Sequence, residues 1–234
     1  MGVKDLTSLS CAIMHTSSSA ERKQSLQQIM FQLYSQGSSN SWVSLEVMDD
    51  PFRQGVWFNA KRCWKSAGKA THHLVLQDDI VICNNFVNGI FKVIEAFPND
   101  IISLFHGPRK NFDGSCRWGQ SEGVWGQAIV MPTGIVQEFL NWEEDNIHPS
   151  FMHDDSRVSL FAINTGRRVK VPFPNLVNHR DTELKSVLGN KWSKPRVSSD
   201  FMGARDPFDF DWMEKDPMMS SINSFTQYNK YLLR

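Results

Sequence analysis

Net charge is the first thing this sequence lacks. Its 25 Lys and Arg residues are matched by 25 Asp and Glu, so no global field draws the chain toward nucleic acid or a membrane surface. Only a local basic patch could do that. Long apolar runs are missing too: no stretch approaches the roughly 20 residues that span a bilayer. The start, Met-Gly-Val-Lys-Asp-Leu-Thr, has neither the positive opening nor the apolar core of a secretory signal, and Thr7 misses the position that N-myristoylation reads. Cysteine is scarce. Cys11, Cys63, Cys83 and Cys116 are scattered and form no CxxC pair, which argues against a zinc site or a disulfide framework and suits a reducing compartment. Internal repeats are absent as well. Together these absences lead us to expect a cytoplasmic protein.

What is present is a core. Hydrophobic residues make up 41% of the 234, enough for a sizeable core, and the length fits one large domain, or one domain with a short appendage. The first half alternates strand and helix patterns. Leu9 to Met14, Trp42 to Met48, His73 to Leu76 and Ile101 to Phe105 read as strands. A Ser-x-x-Glu capping box at Ser18 to Glu21 opens a helix carrying Leu26, Ile29, Met30 and Leu33 at helical spacing. Val56, Ala60, Cys63, Trp64 and Ala67 mark a second helix, ended by Gly68. Asn84 or Asn85 caps a third, striped by Val87, Ile90, Phe91, Ile94 and Phe97. Such alternation predicts βαβ units, an α/β class and a mostly parallel sheet.

The second half is less regular. The stretch from Phe105 to Gln120 reads as a loop or hairpin, Gly123 to Met131 as a strand, Pro132 and Thr133 as a helix start, and His153-Asp154-Asp155 as the start of another helix ending at Gly166. Val169 to Val171 is a short strand. Beyond about Gly189 the periodicity fades. We therefore expect one domain over residues 1–190 and an extension, 191–234, packed on its surface.

In a sheet of this kind, ligands bind at the C-terminal ends of the strands. The polar clusters fall there: His15-Thr16-Ser17, Asp49-Asp50 and Gln77-Asp78-Asp79. Two adjacent carboxylates closing an apolar strand repel each other unless a cation or donors compensate them. Mg²⁺ or Mn²⁺ would do so and would also bridge phosphate oxygens. The plainer alternative is that Asp78 and Asp79 cap the helix that follows. Thr16 and Arg22 sit where a helix N-terminus and a cation favour phosphate. Asp49 or Asp50 could read a base or ribose, and Arg53, Asn59, Arg62 and Lys65 could touch donor phosphate or base, or each could be surface. Asp154 and Asp155 suit the first turn of a helix, and one of them could deprotonate an acceptor hydroxyl.

The segment Val56-Trp57-Phe58-Asn59-Ala60-Lys61-Arg62-Cys63-Trp64-Lys65-Ser66-Ala67, followed by His72-His73-Leu74-Val75-Leu76-Gln77-Asp78-Asp79-Ile80, resembles nucleotide-sugar glycosyltransferases of the GT-A fold. There a similar helix precedes a strand ending in an acidic triplet. Gly123-Val124-Trp125-Gly126-Gln127-Ala128 is similar to the family's strand on the acceptor side, and His153-Asp154-Asp155-Ser156-Arg157 to the motif that supplies the base in inverting members. Pro172-Phe173-Pro174-Asn175-Leu176-Val177-Asn178-His179 is similar to the loop whose His completes the metal shell, and Ser186-Val187-Leu188-Gly189 continues the match, which covers about residues 8–190. The resemblance implies a single Rossmann-like GT-A domain, a UDP-sugar donor, Asp79 and His179 as metal ligands, and Asp78 in support or on the sugar. Asp155, with Asp154 as the alternative, would be the base, and Trp125 and Gly126 would face the acceptor. Gln77 departs from the family by replacing the first acid, yet it can still hydrogen-bond a ribose. A lone His such as His179 can equally be structural.

Basic residues interleave with aromatics at Arg109, Lys110, Phe112, Arg117 and Trp118, and again at Lys185, Lys191, Trp192, Lys194 and Arg196. Cations for phosphate and rings for stacking suit a nucleic-acid acceptor. A bacteriophage-type transferase acting on hydroxymethylated pyrimidine in DNA, in the host cytoplasm, is the expectation they raise. A glycan or protein hydroxyl is the other. Two rivals to transfer remain: a metal phosphohydrolase built from Asp78, Asp79, Asp155 and His179, and a non-catalytic relative that only binds glycan or nucleic acid.

Overall fold

The computed structural model of the chain describes residues 7–17, 19–36, 42–107, 117–180, 183–184, 195–213 and 230–233. The elements run β1 (Leu9–His15), α1 (Ala20–Gln36), β2 (Trp42–Asp49), α2 (Val56–Lys65), β3 (His72–Gln77), β4 (Ile80–Ile82), α3 (Phe86–Ala96) and β5 (Ile101–Ser103). Then come β6 (Trp118–Ser121), β7 (Ala128–Pro132), α4 (Thr133–Asn146), α5 (Asp154–Asn164), β8 (Val169–Pro172) and β9 (Val177–His179). Seven strands form one sheet in the order β2-β1-β3-β7-β5-β8-β6. β1 pairs in parallel with β2 and β3, and β5 in parallel with β8. β7 runs against β3 and β5, and β6 against β8. The sheet is therefore mixed but mostly of one direction.

Side chains alternate across a strand, and here the alternation feeds two cores. Leu9, Cys11 and Ile13 of β1, Leu74 and Leu76 of β3, and Val130 of β7 pack with Ile29 and Leu33 of α1 and with Val87 and Ile90 of α3. Their neighbours Ala12, Val75, Ile129 and Met131 point the other way, onto Trp57 and Trp64 of α2, Phe139 of α4 and Phe161 of α5. A sheet covered on both faces by helices is the architecture the βαβ alternation predicts.

Several boundaries differ from the sequence reading. Ser18 of the expected capping box lies outside the described residues; Ser19 Oγ accepts the Arg22 amide at 3.2 Å instead. Asn85 precedes α3 in the left-handed region, φ 51°, and its amide turns away to Asp206 Oδ2 at 2.7 Å. The strand expected over Gly123 to Met131 begins only at Ala128. The residues before it form bends and turns, and Gly126 among them passes close to the end of β3 and the start of α5. β4 was not anticipated. It pairs antiparallel with β9 in a separate two-stranded sheet, Ile80 opposite His179.

Later segments lie on the domain. Asn175 and residues 200–202 exchange backbone hydrogen bonds of 2.7 and 2.8 Å. Trp212 is buried and its carbonyl accepts from Trp118 Nε1 at 3.2 Å. Tyr231 stacks on Phe151 with ring centres 4.1 Å apart.

Candidate active site

The adjacent parallel strands β1 and β3 finish side by side, which carries the ends of both to one rim of the sheet. His15 closes β1. Its Nδ1 lies 2.7 Å from Asp78 Oδ2, just past β3, and the Thr16 amide donates to that same oxygen at 3.1 Å. Arg22 comes up from the first turn of α1. Its Nη1 donates to Asp78 Oδ1, and its Nη2 donates to Asp79 Oδ2 at 3.0 Å. All four of these side chains are buried or nearly so, with Arg22 only 6% exposed. The compensation that two adjacent carboxylates demand is thus met first by the Arg22 guanidinium, which the sequence pattern places toward phosphate.

His179 reaches the same place from β9. The β4–β9 pairing sets Ile80 opposite His179, and the Arg180 amide donates to the Asp79 carbonyl at 2.8 Å. His179 Nε2 consequently lies 3.4 Å from Asp79 Oδ2. Burial by itself would raise the Asp79 carboxyl, but His179 and then Arg22 hold it well below the usual carboxylate range. Asp79 is therefore ionised at every physiological pH. Its other oxygen, Oδ1, is buried and accepts no hydrogen bond among the described residues. An ionised carboxylate oxygen left open beside an imidazole fits a divalent cation. Among the described residues no three His, Cys, Asp or Glu side chains converge on one point. The protein's share of such a shell would be Asp79 and His179, with phosphate oxygens and water supplying the rest, as Mg²⁺ and Mn²⁺ commonly accept.

Asp154 and Asp155 open α5 on the far side of Gln77. Asp154 Oδ2 accepts from Gln77 Nε2 at 3.2 Å. Asp155 Oδ1 instead accepts from its neighbour Ser156, from the amide at 2.6 Å and the hydroxyl at 3.1 Å, so its bonds stay within the first turn of its own helix. Protein atoms crowd both carboxyls. Burial, then the Asp155 charge, raises Asp154 to about 7, and burial raises Asp155 as well against the opposing Ser156 bonds. Gly126 fills the angle between these groups. A Cβ there would lie 2.9 Å from Gln77 Nε2 and 3.2 Å from Asp154 Oδ2, so the absence of a side chain is what lets Gln77 and Asp154 meet. Trp125 packs edge-on to Phe105 at 5.8 Å, close to this point in the chain.

Other expected donor contacts are used structurally. Asp50 accepts the amides of Gln54 at 3.0 Å and Gly55 at 3.3 Å, forming the turn into α2. Asp49 Oδ1 accepts the Ser17 amide at 2.9 Å. Asn59 donates to the carbonyls of His15 at 3.1 Å and Met48 at 2.7 Å, binding α2 to the ends of β1 and β2. Arg62 donates to the Asp49 carbonyl at 2.9 Å. These residues build the rim on which His15 and Thr16 stand.

The acceptor-side expectation needs correction at Trp118. Its ring is 0% exposed, wedged edge-on against Phe97 and Trp212, so it cannot stack on a base. Arg117 is held too, its guanidinium 4.7 Å from the Phe210 ring and donating to the Phe173 carbonyl at 3.2 Å. Both are absorbed by the later segments, whose partners in the fold were not visible in one dimension. Arg109, Lys110, Lys185, Lys191, Trp192 and Lys194 lie outside the described residues. No helix among the described residues is long and apolar enough to cross a membrane.

No protein-family model matches the chain, and no curated protein matches it in sequence. Solved structures do. GalNAc-T7, crystallised with UDP, GalNAc and Mn²⁺, superposes with a TM-score of 0.55 at 9% identity, over 76% of this chain and 44% of that one. This chain therefore spans less than half the length of that relative. The catalytic domain of Drosophila β1,4-galactosyltransferase 7, complexed with xylobiose, gives 0.48 at 10% identity, over 92% and 83%. A glycosyltransferase involved in glycosylation of the major capsid protein of PBCV-1 gives 0.45 at 10%, over 70% and 83%. The fold is that of the GT-A glycosyltransferases.

Proposed function

We propose that the chain is a metal-dependent glycosyltransferase that moves a sugar from a nucleoside diphosphate-sugar to an acceptor hydroxyl, with inversion. The observation that carries this reading is the convergence at one rim: Asp79 with its open oxygen beside His179, and Asp154 across Gln77 with its carboxyl raised to about 7. One carboxylate is kept ionised and the other is pushed toward neutrality, which is how environment separates an anchoring role from a proton-accepting one.

Asp79 and His179 would hold Mn²⁺ or Mg²⁺ against the diphosphate; the ion supplies positive charge that offsets what builds on the leaving group. UDP is the nucleotide of choice, as in GalNAc-T7, whose crystals hold UDP and Mn²⁺. The backbone ends of β1 and β2, shaped by Asp49, Asp50, Asn59 and Arg62, would seat the nucleoside. Asp78 is already tied by His15, Thr16 and Arg22, so its part is to position Arg22 and His15. Gln77 would turn Asp154 toward the acceptor. Asp154 takes the hydroxyl proton as that oxygen bonds to the anomeric carbon, and the bond from that carbon to the diphosphate breaks on the opposite face. Asp154 replaces Asp155 as the preferred base because Asp154 meets Gln77 at the end of β3, whereas the bonds of Asp155 go to Ser156 of its own helix. A hydroxyl of a glycan or protein is the acceptor favoured over DNA, since Trp118 is buried and Arg117 is engaged. The phosphohydrolase reading needs Asp155 beside Asp79, and its bonds to Ser156 turn it elsewhere.

A panel of nucleotide-sugars tested by thermal shift with and without Mn²⁺ decides the matter. A nucleoside diphosphate-sugar should stabilise the protein only with metal, and a UDP-sugar most strongly. Equal stabilisation by every nucleotide, or none by any, would sink the reading.

A further inference from the structure

We infer that Arg22 is an internal counter-cation for the Asp78–Asp79 pair, one that yields Asp79 to an arriving divalent ion and turns onto the donor's diphosphate. This inference rests on the donor-site reading above. Arg22 is buried at 6% exposure and its guanidinium is split between two carboxylates, Nη1 on Asp78 and Nη2 on Asp79 at 3.0 Å. The two acids are not equivalent. Asp78 also accepts from His15 and the Thr16 amide on its second oxygen, so it stays compensated whatever Arg22 does with its other nitrogen. Asp79 keeps Oδ1 open and offers Oδ2 to both Arg22 and His179. A cation bound between Asp79 and His179 would face Nη2 across one carboxylate, and two like charges in a buried site repel. Nη2 is the end that must give way, because Nη1 remains anchored on Asp78. Pivoting about that anchor keeps the guanidinium at the rim where the diphosphate lies under the reading above. A planar fork suits phosphate oxygens there. Arg22 thus acts as a positioning residue before donor arrives and as a phosphate ligand afterwards. It makes metal binding weak without nucleotide and strong with it.

Calorimetric titration of Mn²⁺ into wild type, Arg22→Gln and Arg22→Lys, each with and without UDP, tests this. Arg22→Gln should bind Mn²⁺ alone at least about tenfold more tightly than wild type, because a competing charge has gone. It should bind UDP in the presence of Mn²⁺ about tenfold more weakly, because a charged phosphate contact has gone. Arg22→Lys, which keeps the charge without the planar fork, should fall between on both measures. A merely structural arginine would lower both affinities together or neither, and either result overturns the inference while leaving the donor-site reading intact if wild type binds Mn²⁺ with UDP. If neither wild type nor variant binds Mn²⁺ under any condition, both readings fall. Should Arg22→Gln be unfolded, circular dichroism with added Mn²⁺ decides: recovery of the fold supports a cation exchange at Asp79. Failure of both variants to fold at any Mn²⁺ concentration makes Arg22 a permanent structural ion and overturns the inference.

Discussion

Replacing Asp154 with Asn removes one charge from a pair that burial and mutual repulsion press toward neutrality. The Asp154 carboxyl is raised from 3.8 to about 7. An acid whose folded pKa is raised holds its proton more tightly in the native state, so native stability falls as pH climbs from about 4 through about 7 and then levels. Each tenfold change in an acid's ionisation equilibrium is worth roughly 1.4 kcal/mol, which sets a ceiling of about 4 kcal/mol. Local relaxation around the carboxyl and the relief shared with Asp155 bring the expected cost at pH 8 to about 1–2 kcal/mol. Asn keeps the carbonyl that accepts from Gln77 and cannot ionise. Asp154→Asn should therefore melt higher than wild type at pH 8, by roughly 2–4 °C per kcal/mol, and at the same temperature as wild type at pH 4. Transfer should drop about 100- to 10,000-fold if Asp154 is the base. Differential scanning calorimetry at both pH values, with a rate measurement at pH 8, separates the claims. A melting difference that does not change with pH refutes the buried-charge argument. A pH-dependent gain with activity kept refutes only the role as base.

Asp79→Ala should cut transfer and the Mn²⁺-dependent part of UDP binding by about 100-fold or more, with the fold preserved because Arg22 still has Asp78; calorimetry with UDP and Mn²⁺ checks it, and near-normal binding would remove the metal role. Gly126→Ala puts a Cβ 2.9 Å from Gln77 Nε2 and should break the Gln77–Asp154 bond, lowering transfer severalfold for about 1 kcal/mol of stability; unchanged kinetics would detach Gln77 from the mechanism. Trp118→Ala should cost about 3–5 kcal/mol in urea unfolding, with UDP affinity unaltered in the protein that remains folded. A stable Trp118→Ala variant with weakened acceptor binding alone would return Trp118 to the acceptor surface.

Much of the scaffold was legible one residue at a time. Leu9, Cys11 and Ile13 against Ala12, or Leu74 and Leu76 against Val75, declare a strand buried on both faces, because each residue type is read by local burial alone. The acids at Asp78 and Asp79 declared a need for compensation for the same reason: two charges ending an apolar run cannot be left bare. What met that need was not legible. Arg22 lies 56 residues from Asp78, and only parallel pairing of β1 with β3 sets the start of α1 beside it. His179 could be suspected, but its place beside Asp79 depends on β4, a three-residue strand too short to show a period. The proposed preference for Asp154 over Asp155 rests on its contact with Gln77, 77 residues away in the chain. Trp118 looked like a stacking platform until later segments covered it. Periodicity and residue type act between near neighbours, so the sequence by itself determined most of the helices and longer strands and the acidic strand end. Which charges meet, and which rings are covered, follows from long-range packing, and only the tertiary structure decided it.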